Sequence, residues 1–259
     1  MIAELMGLAV GLTFVRAGLA ARAGSWADVR LADRGRYVRI LKINRDLFLR
    51  TLSLMFVLAF ITAQGARMGS VILAANAVLM NFQVLMSYSL DGIAYAAEAL
   101  TGKAIGERNR EGLRLSIQRG LMWSLGFAGL FSIAYLLAGR ALIDVLTGLP
   151  DVRAAAVRYL PWLIVSPLIS VWSFFYDGVY VGATRSHEMM IVMAGSALLL
   201  FLPAWYAFTG GLVDLGNHGL WLAFMVFLAG RGLGMPLWWQ HLMSNDMILP
   251  ASRRPDRHD

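Results

Sequence analysis

Tyr88, Asp91, Tyr95 and Glu98 recur in steps of three and four inside an apolar run, YSLDGIAYAAE. On a helix that spacing puts all four on one stripe, and the same step backwards reaches Asn81. A second stripe follows the same rule: Ser170, Ser173, Asp177, Tyr180 and Thr184. A carboxylate at membrane depth costs about 2.5–3.5 kcal/mol on insertion scales, so it should face a protein interior or a water-filled cavity. Taking a carboxylate out of water favours its neutral form, and a nearby cation favours its charged form. One such acid can therefore hold a proton or a cation in turn. Tyrosines beside it can donate to the carboxylate and stack on a flat cationic guest. Asn76, Asn81, Gln64, Tyr88, Tyr95, Tyr176 and Tyr180 are the expected neighbours of Asp91, Glu98 and Asp177.

These stripes need helices that cross a bilayer, and the composition supplies them. The chain is 58% hydrophobic and 15% charged, with mean hydropathy +0.62, against about a quarter charged in a soluble domain. Seven apolar segments are long enough to span: 1–21, 47–66, 70–100, 117–139, 159–182, 189–208 and 219–242. The expected class is an all-α integral membrane protein. Its expected divisions are a first helix (1–21), a basic connector (22–46), a six-helix bundle (47–242) and a polar tail (243–259). Pro161 and Pro167 should kink the fifth span. No cleavable leader is expected, since Glu4 stands where a basic n-region would be.

With no cysteine, disulfides, thiolate metal sites and a cysteine nucleophile are excluded. The four histidines show no H-x-x-x-H spacing, so no metal or other cofactor is expected. His187 and His218 read as interface residues. The net charge of +7 is distributed as a topology signal, which removes the need for a nucleic-acid partner. Sixteen of the 23 Lys and Arg residues fall on one face of the spans. Arg67, Arg140, Arg153 and Arg158 are on the other, and Arg16, Arg50 and Arg231 lie within spans. The connector and the carboxyl terminus are accordingly expected in the cytoplasm of a bacterial inner membrane.

Four stretches resemble a known family: RDLFLRTLSLMFVLAFITAQGARMG, LAANAVLMNFQVLMSYSLDGIAYAAEALTGKAIGERN, FYDGVYVGATRSHEMM and NHGLWLAFMVFLAGRGL. From about Asn44 to Gln240 the chain is similar to the carboxyl-terminal half of the multidrug and toxin extrusion (MATE) transporters. Within them it resembles the DNA-damage-inducible F (DinF) subgroup, and the first span looks like the family's sixth helix. The resemblance implies two six-helix bundles that export organic cations and amphipathic compounds in exchange for H⁺ or Na⁺. Asp177 matches the aspartate of the family's tenth helix, a cation-coupling acid in the sodium-linked branch. Asp91 and Glu98 match acids of the eighth helix in the subgroup. Nothing between Leu47 and Ala66 is acidic, so the seventh-helix glutamate of the sodium-linked branch has no counterpart, which favours protons.

The amino-terminal bundle, with the first-helix aspartate to which proton coupling is assigned in the subgroup, has no counterpart in this sequence. A truncated reading of a longer transporter is the expectation. A half-protein that pairs with another chain, or with itself, is the alternative. A lipid-linked oligosaccharide flippase of the same superfamily should place Arg or Lys in its cavity, whereas the buried charges here read as mainly acids. An intramembrane aspartyl protease needs a second motif ending in aspartate. Tyr176–Asp177 supplies the first, but Gly232-Leu233-Gly234 is followed by Met235.

Overall fold

The computed structural model describes residues 2–20 and 34–248. The described residues are helical apart from short turns and one isolated bridge between Thr209 and Asp214. The chain divides into two units, Met1–Lys42 and Ile43–Asp259. The first holds α1 (Ile2–Ala20), 19 residues of which Leu5–Ala20 is the apolar part, and the opening turns of α2 (Arg34–Arg67). The second continues α2 and adds α3 (Ser70–Gly106), α4 (Arg110–Leu146) and α5 (Pro150–Gly182). After these come α6 (Ser186–Gly195), a π-helical segment Ser196–Phe201, α7 (Leu202–Phe208) and α8 (Asn217–Ser244).

Six of these rods are long and apolar enough to cross a membrane, counting Ser186–Phe208 as one. They match the six-helix bundle read from the sequence, while α1 is shorter. The helices are longer than their apolar cores. Hydropathy ended the third span at residue 100 and began the fourth at 117, yet helix runs to Gly106 and resumes at Arg110. Asn109 caps the restart, its side chain accepting from Gly112 N at 2.7 Å. Arg153 closes the next turn by donating to Thr147 O (2.7 Å) and Asp144 O (2.9 Å). The connector is helical from Arg34, as part of α2. Its first half (22–33) and the tail from 249 lie outside the described residues.

Pro161 and Pro167 sit inside α5, which runs through both. Proline removes one i→i−4 bond, and the carbonyl freed by Pro167 belongs to Leu163. Ser166 Oγ lies 3.0 Å from Leu163 O and 2.6 Å from Gln83 Oε1, so its one proton is shared between them. Pro203 does the same to Leu199 O, inside the π-helical segment, whose wider turn absorbs the missing bond.

The backbones of α3 and α5 approach closely. A Cβ on Gly178 would collide with the Ala94 carbonyl, and one on Gly182 with the Glu98 carbonyl. Two glycines four residues apart let the backbones touch, as small-xxx-small pairs do in membranes. At that contact the stretch of α3 bearing Asp91 and Glu98 lies against the stretch of α5 bearing Asp177. Gly178→Ala should therefore destabilise the chain by about 1–3 kcal/mol. Gly126→Ala, on the open side of α4 with nothing within 4 Å, should leave it unchanged or raise it slightly. Thermal unfolding of the purified variants in detergent reads the difference, and equal shifts would refute a tight crossing at Gly178.

Candidate functional site

α3 turns its Leu79, Phe82, Met86, Leu90, Ala94 and Ala97 face into the bundle. The predicted polar stripe is thereby carried to the outside and the cleft edge. Tyr88 and Tyr95 are 71% and 69% exposed, and Asn81 is exposed as well. Asp91 and Glu98 are half-buried. Both line a cavity of about 280 Å³ together with Tyr95, Arg50, Ser87 and Asp177. A second cavity of about 250 Å³ adjoins it, sharing Arg50, Leu54, Ser87 and Phe174.

Asp177 holds the centre. Arg50 from α2 and Arg231 from α8 both donate to its Oδ2, Arg231 at 2.9 Å. The side chains of Asp177 and Arg231 are nearly sealed, and Arg50 is largely buried. Asp177 Oδ1, Arg50 Nε and Arg231 Nε are buried with no hydrogen-bond partner. Arg231 also lies over the rings of Phe174 (6.0 Å) and Phe227 (5.6 Å). Across the two cavities three acids, Asp91, Glu98 and Asp177, stand with Arg50 and Arg231, so the charges are mainly acids there but not at Asp177 itself. At Asp177 there are two guanidiniums to one carboxylate. The sequence already places Arg50 and Arg231 within spans, where an arginine obeys the same rule as an aspartate; only their partner goes unnamed. Asp91, within electrostatic reach of Asp177 and Arg50, has no hydrogen-bond or ion-pair partner among the described residues.

Other expected members of the site are engaged elsewhere. Asn76 and Asn217 exchange amide bonds at 2.8 and 2.9 Å, and Trp221 Nε1 donates to Asn76 Oδ1 at 2.9 Å, tying α3 to α8. Tyr180 is fully buried and donates to Met235 O at 2.9 Å. Gln64 and Tyr176 line neither cavity. Ser170 and Ser173 are buried and donate to Ser166 O and Ser170 O, within α5. His218 accepts from Trp162 Nε1 at 3.0 Å, and His187 lies 3.4 Å from the buried Asp46. Gln83, unnamed by periodicity, reaches the second cavity. No cluster suited to a metal ion occurs among the described residues.

The MatE family model matches residues 47–206, more than half of the chain. The chain belongs to the MatE family. It is 42% identical to DNA damage-inducible protein F of Escherichia coli K12, over 97% of this chain and 54% of that protein. It is 25% identical to the multidrug resistance protein NorM of Vibrio vulnificus YJ016, over 73% of this chain and 42% of that protein. A crystal structure of a MATE protein in the straight conformation superposes with TM-score 0.79 at 18% identity, covering 93% of this chain and 55% of that one. A multidrug resistance MATE transporter in the outward-facing conformation superposes with TM-score 0.78 at the same identity and coverage. At that identity the likeness establishes the fold. The chain spans about half the length of the curated relatives it matches. Family and fold together make it a multi-pass membrane protein.

Breaking the Asp177 triad should be costly. Asp177→Asn leaves two buried guanidiniums facing each other and should cost about 3–5 kcal/mol. Asp177→Asn combined with Arg231→Met should recover part of that loss. Thermal unfolding of the two single variants and the double variant measures the coupling; simple additivity would show that Asp177 and Arg231 do not act together.

Proposed function

We propose that this chain is the carboxyl-terminal bundle of a MATE-type antiporter that exports organic cations and amphipathic compounds in exchange for protons. Asp91 is the acid that changes charge. The observation that carries the assignment is a contrast between two aspartates in one cleft. Asp177 is already neutralised by arginine, whereas Asp91 lines the same cavity without a partner. An unpaired carboxylate beside a cavity takes up a proton or a cationic guest by turns, and the two compete. Competition for one acid is what exchange requires. The absence of any acid between Leu47 and Ala66 supports protons over sodium.

The outward stripe of Asn81, Tyr88 and Tyr95 is the surface an amino-terminal bundle would cover, in the same or another chain, so that the two bundles rock around a shared site. The basic connector and the carboxyl terminus belong in the cytoplasm of a bacterial inner membrane, on the sixteen-to-four bias of Lys and Arg.

Co-expression of the chain with the amino-terminal half of the Escherichia coli relative, in cells depleted of other efflux pumps, tests this reading. Export of a fluorescent cation should require both halves and should quicken as the outside is acidified. Asp91→Asn should abolish the pH dependence and most of the export. Unchanged pH-dependent export by that variant would refute the role of Asp91.

A further inference from the structure

The second cavity differs in charge from the first. It lies between α2, α3, α5 and α8, and its polar lining comprises Arg50, Arg231, Gln83, Ser87 and Thr62. No carboxylate lines it; Asp91, Glu98 and Asp177 all open into the neighbouring cavity. The remaining wall is apolar, including Leu58, Phe174, Phe224 and Leu228. Arg50 and Arg231 both line this cavity, and each keeps a buried Nε–H that has no acceptor. One carboxylate between two guanidiniums leaves one positive charge uncompensated within the triad. A buried donor without an acceptor costs free energy, and a surplus guanidinium charge compounds the cost.

We infer that this cavity is an anion-accepting subsite, which takes the carboxylate or sulfonate of an amphipathic compound. Guanidinium N–H groups match the planar or trigonal oxygens of such groups. At about 250 Å³ the space admits the acidic end of a molecule and part of its apolar body, slightly below the range for a whole drug-sized ligand. The acidic cavity adjoins at Arg50 and Phe174, so an amine carried by the same molecule would lie on the side of Asp91 and Glu98. The subsite thus extends the export reading from cations to amphoteric substrates. It rests on that reading only in treating the cavity as a substrate path, and binding alone decides it.

The test uses two probes with one ring system, dansyl sulfonate and neutral dansylamide. Binding to the purified chain in phosphatidylcholine nanodiscs is followed by energy transfer from tryptophan. The sulfonate should bind about tenfold tighter than the amide, as expected for a charge-assisted hydrogen bond. Arg50→Gln should collapse the preference to below about threefold, and Arg50→Lys should restore part of it. Thr62→Phe, which narrows the cavity and leaves both arginines and the tryptophan donors in place, should weaken both probes. Equal binding of the two probes, or a preference that survives Arg50→Gln, overturns the proposal. So does displacement of the sulfonate by phosphatidylglycerol in the nanodisc, which would give the site to a lipid headgroup. Loss of cation export in the co-expression experiment would leave these binding results unaffected, so the two readings fail separately.

Discussion

One oxygen of Asp177 accepts from two arginines, and the rest of the cleft is arranged around that shared contact. The three groups come from α2, α5 and α8, so the ion triad ties together helices distant in sequence. A charge at membrane depth must be paired or wet. Each of these is paired on one side and faces a cavity on the other. Replacing a buried ion pair with well-packed apolar side chains is often neutral for stability. Stability alone therefore does not call for charge here. What an apolar substitute could not supply is polar wall on two adjoining cavities, with Arg50 shared between them.

The neighbouring residue works on a different face of the same helix. Successive positions on an α-helix are about 100° apart. Asp177 can therefore meet Arg50 and Arg231 while Gly178 lies against the Ala94 carbonyl of α3. Four residues on, Gly182 repeats the contact at Glu98. The sequence Asp-Gly-x-x-x-Gly thus combines an electrostatic centre with a close backbone crossing. Without the crossing, the stretch of α3 carrying Asp91 and Glu98 would stand farther from Asp177, and the acids would not share a cavity.

The spans, their order and the acids at membrane depth were readable because each depends on hydropathy and periodicity along one helix. Which helices are neighbours is not encoded in either. Arg50 and Asp177 are 127 positions apart, so neither partner could be named from its own segment. Periodicity placed Tyr88, Asp91, Tyr95 and Glu98 on one stripe, but not on an inner or outer one. That was decided by the opposite face of α3, whose leucines, alanines and Phe82 pack into the bundle. Asn76 and Tyr180 looked like site residues because they are polar in apolar surroundings. Asn217 and the Met235 carbonyl satisfy them instead. Helix ends were underestimated for another reason: hydropathy marks the bilayer, while capping by Asn109 and the Arg153 bonds mark where helix stops.

On the proposed reading, the two cavities respond to a proton in opposite ways. Protonating Asp91 removes one negative charge from the region, so a cationic group loses its counter-ion and an anionic group loses a repulsive neighbour. By linkage, a cation and a proton exclude each other at this site, whereas an anion and a proton favour each other. A purely anionic substrate would therefore tend to travel with the proton, and a cation against it. An amphoteric molecule spanning both cavities would feel the two effects together. Its direction would be set by which end depends more strongly on Asp91. The amine would sit beside that carboxylate, while the acid would lie beyond Arg50, whose charge screens it from the change. The cationic end therefore dominates the coupling, and exchange against protons extends to zwitterions as long as their amine reaches Asp91.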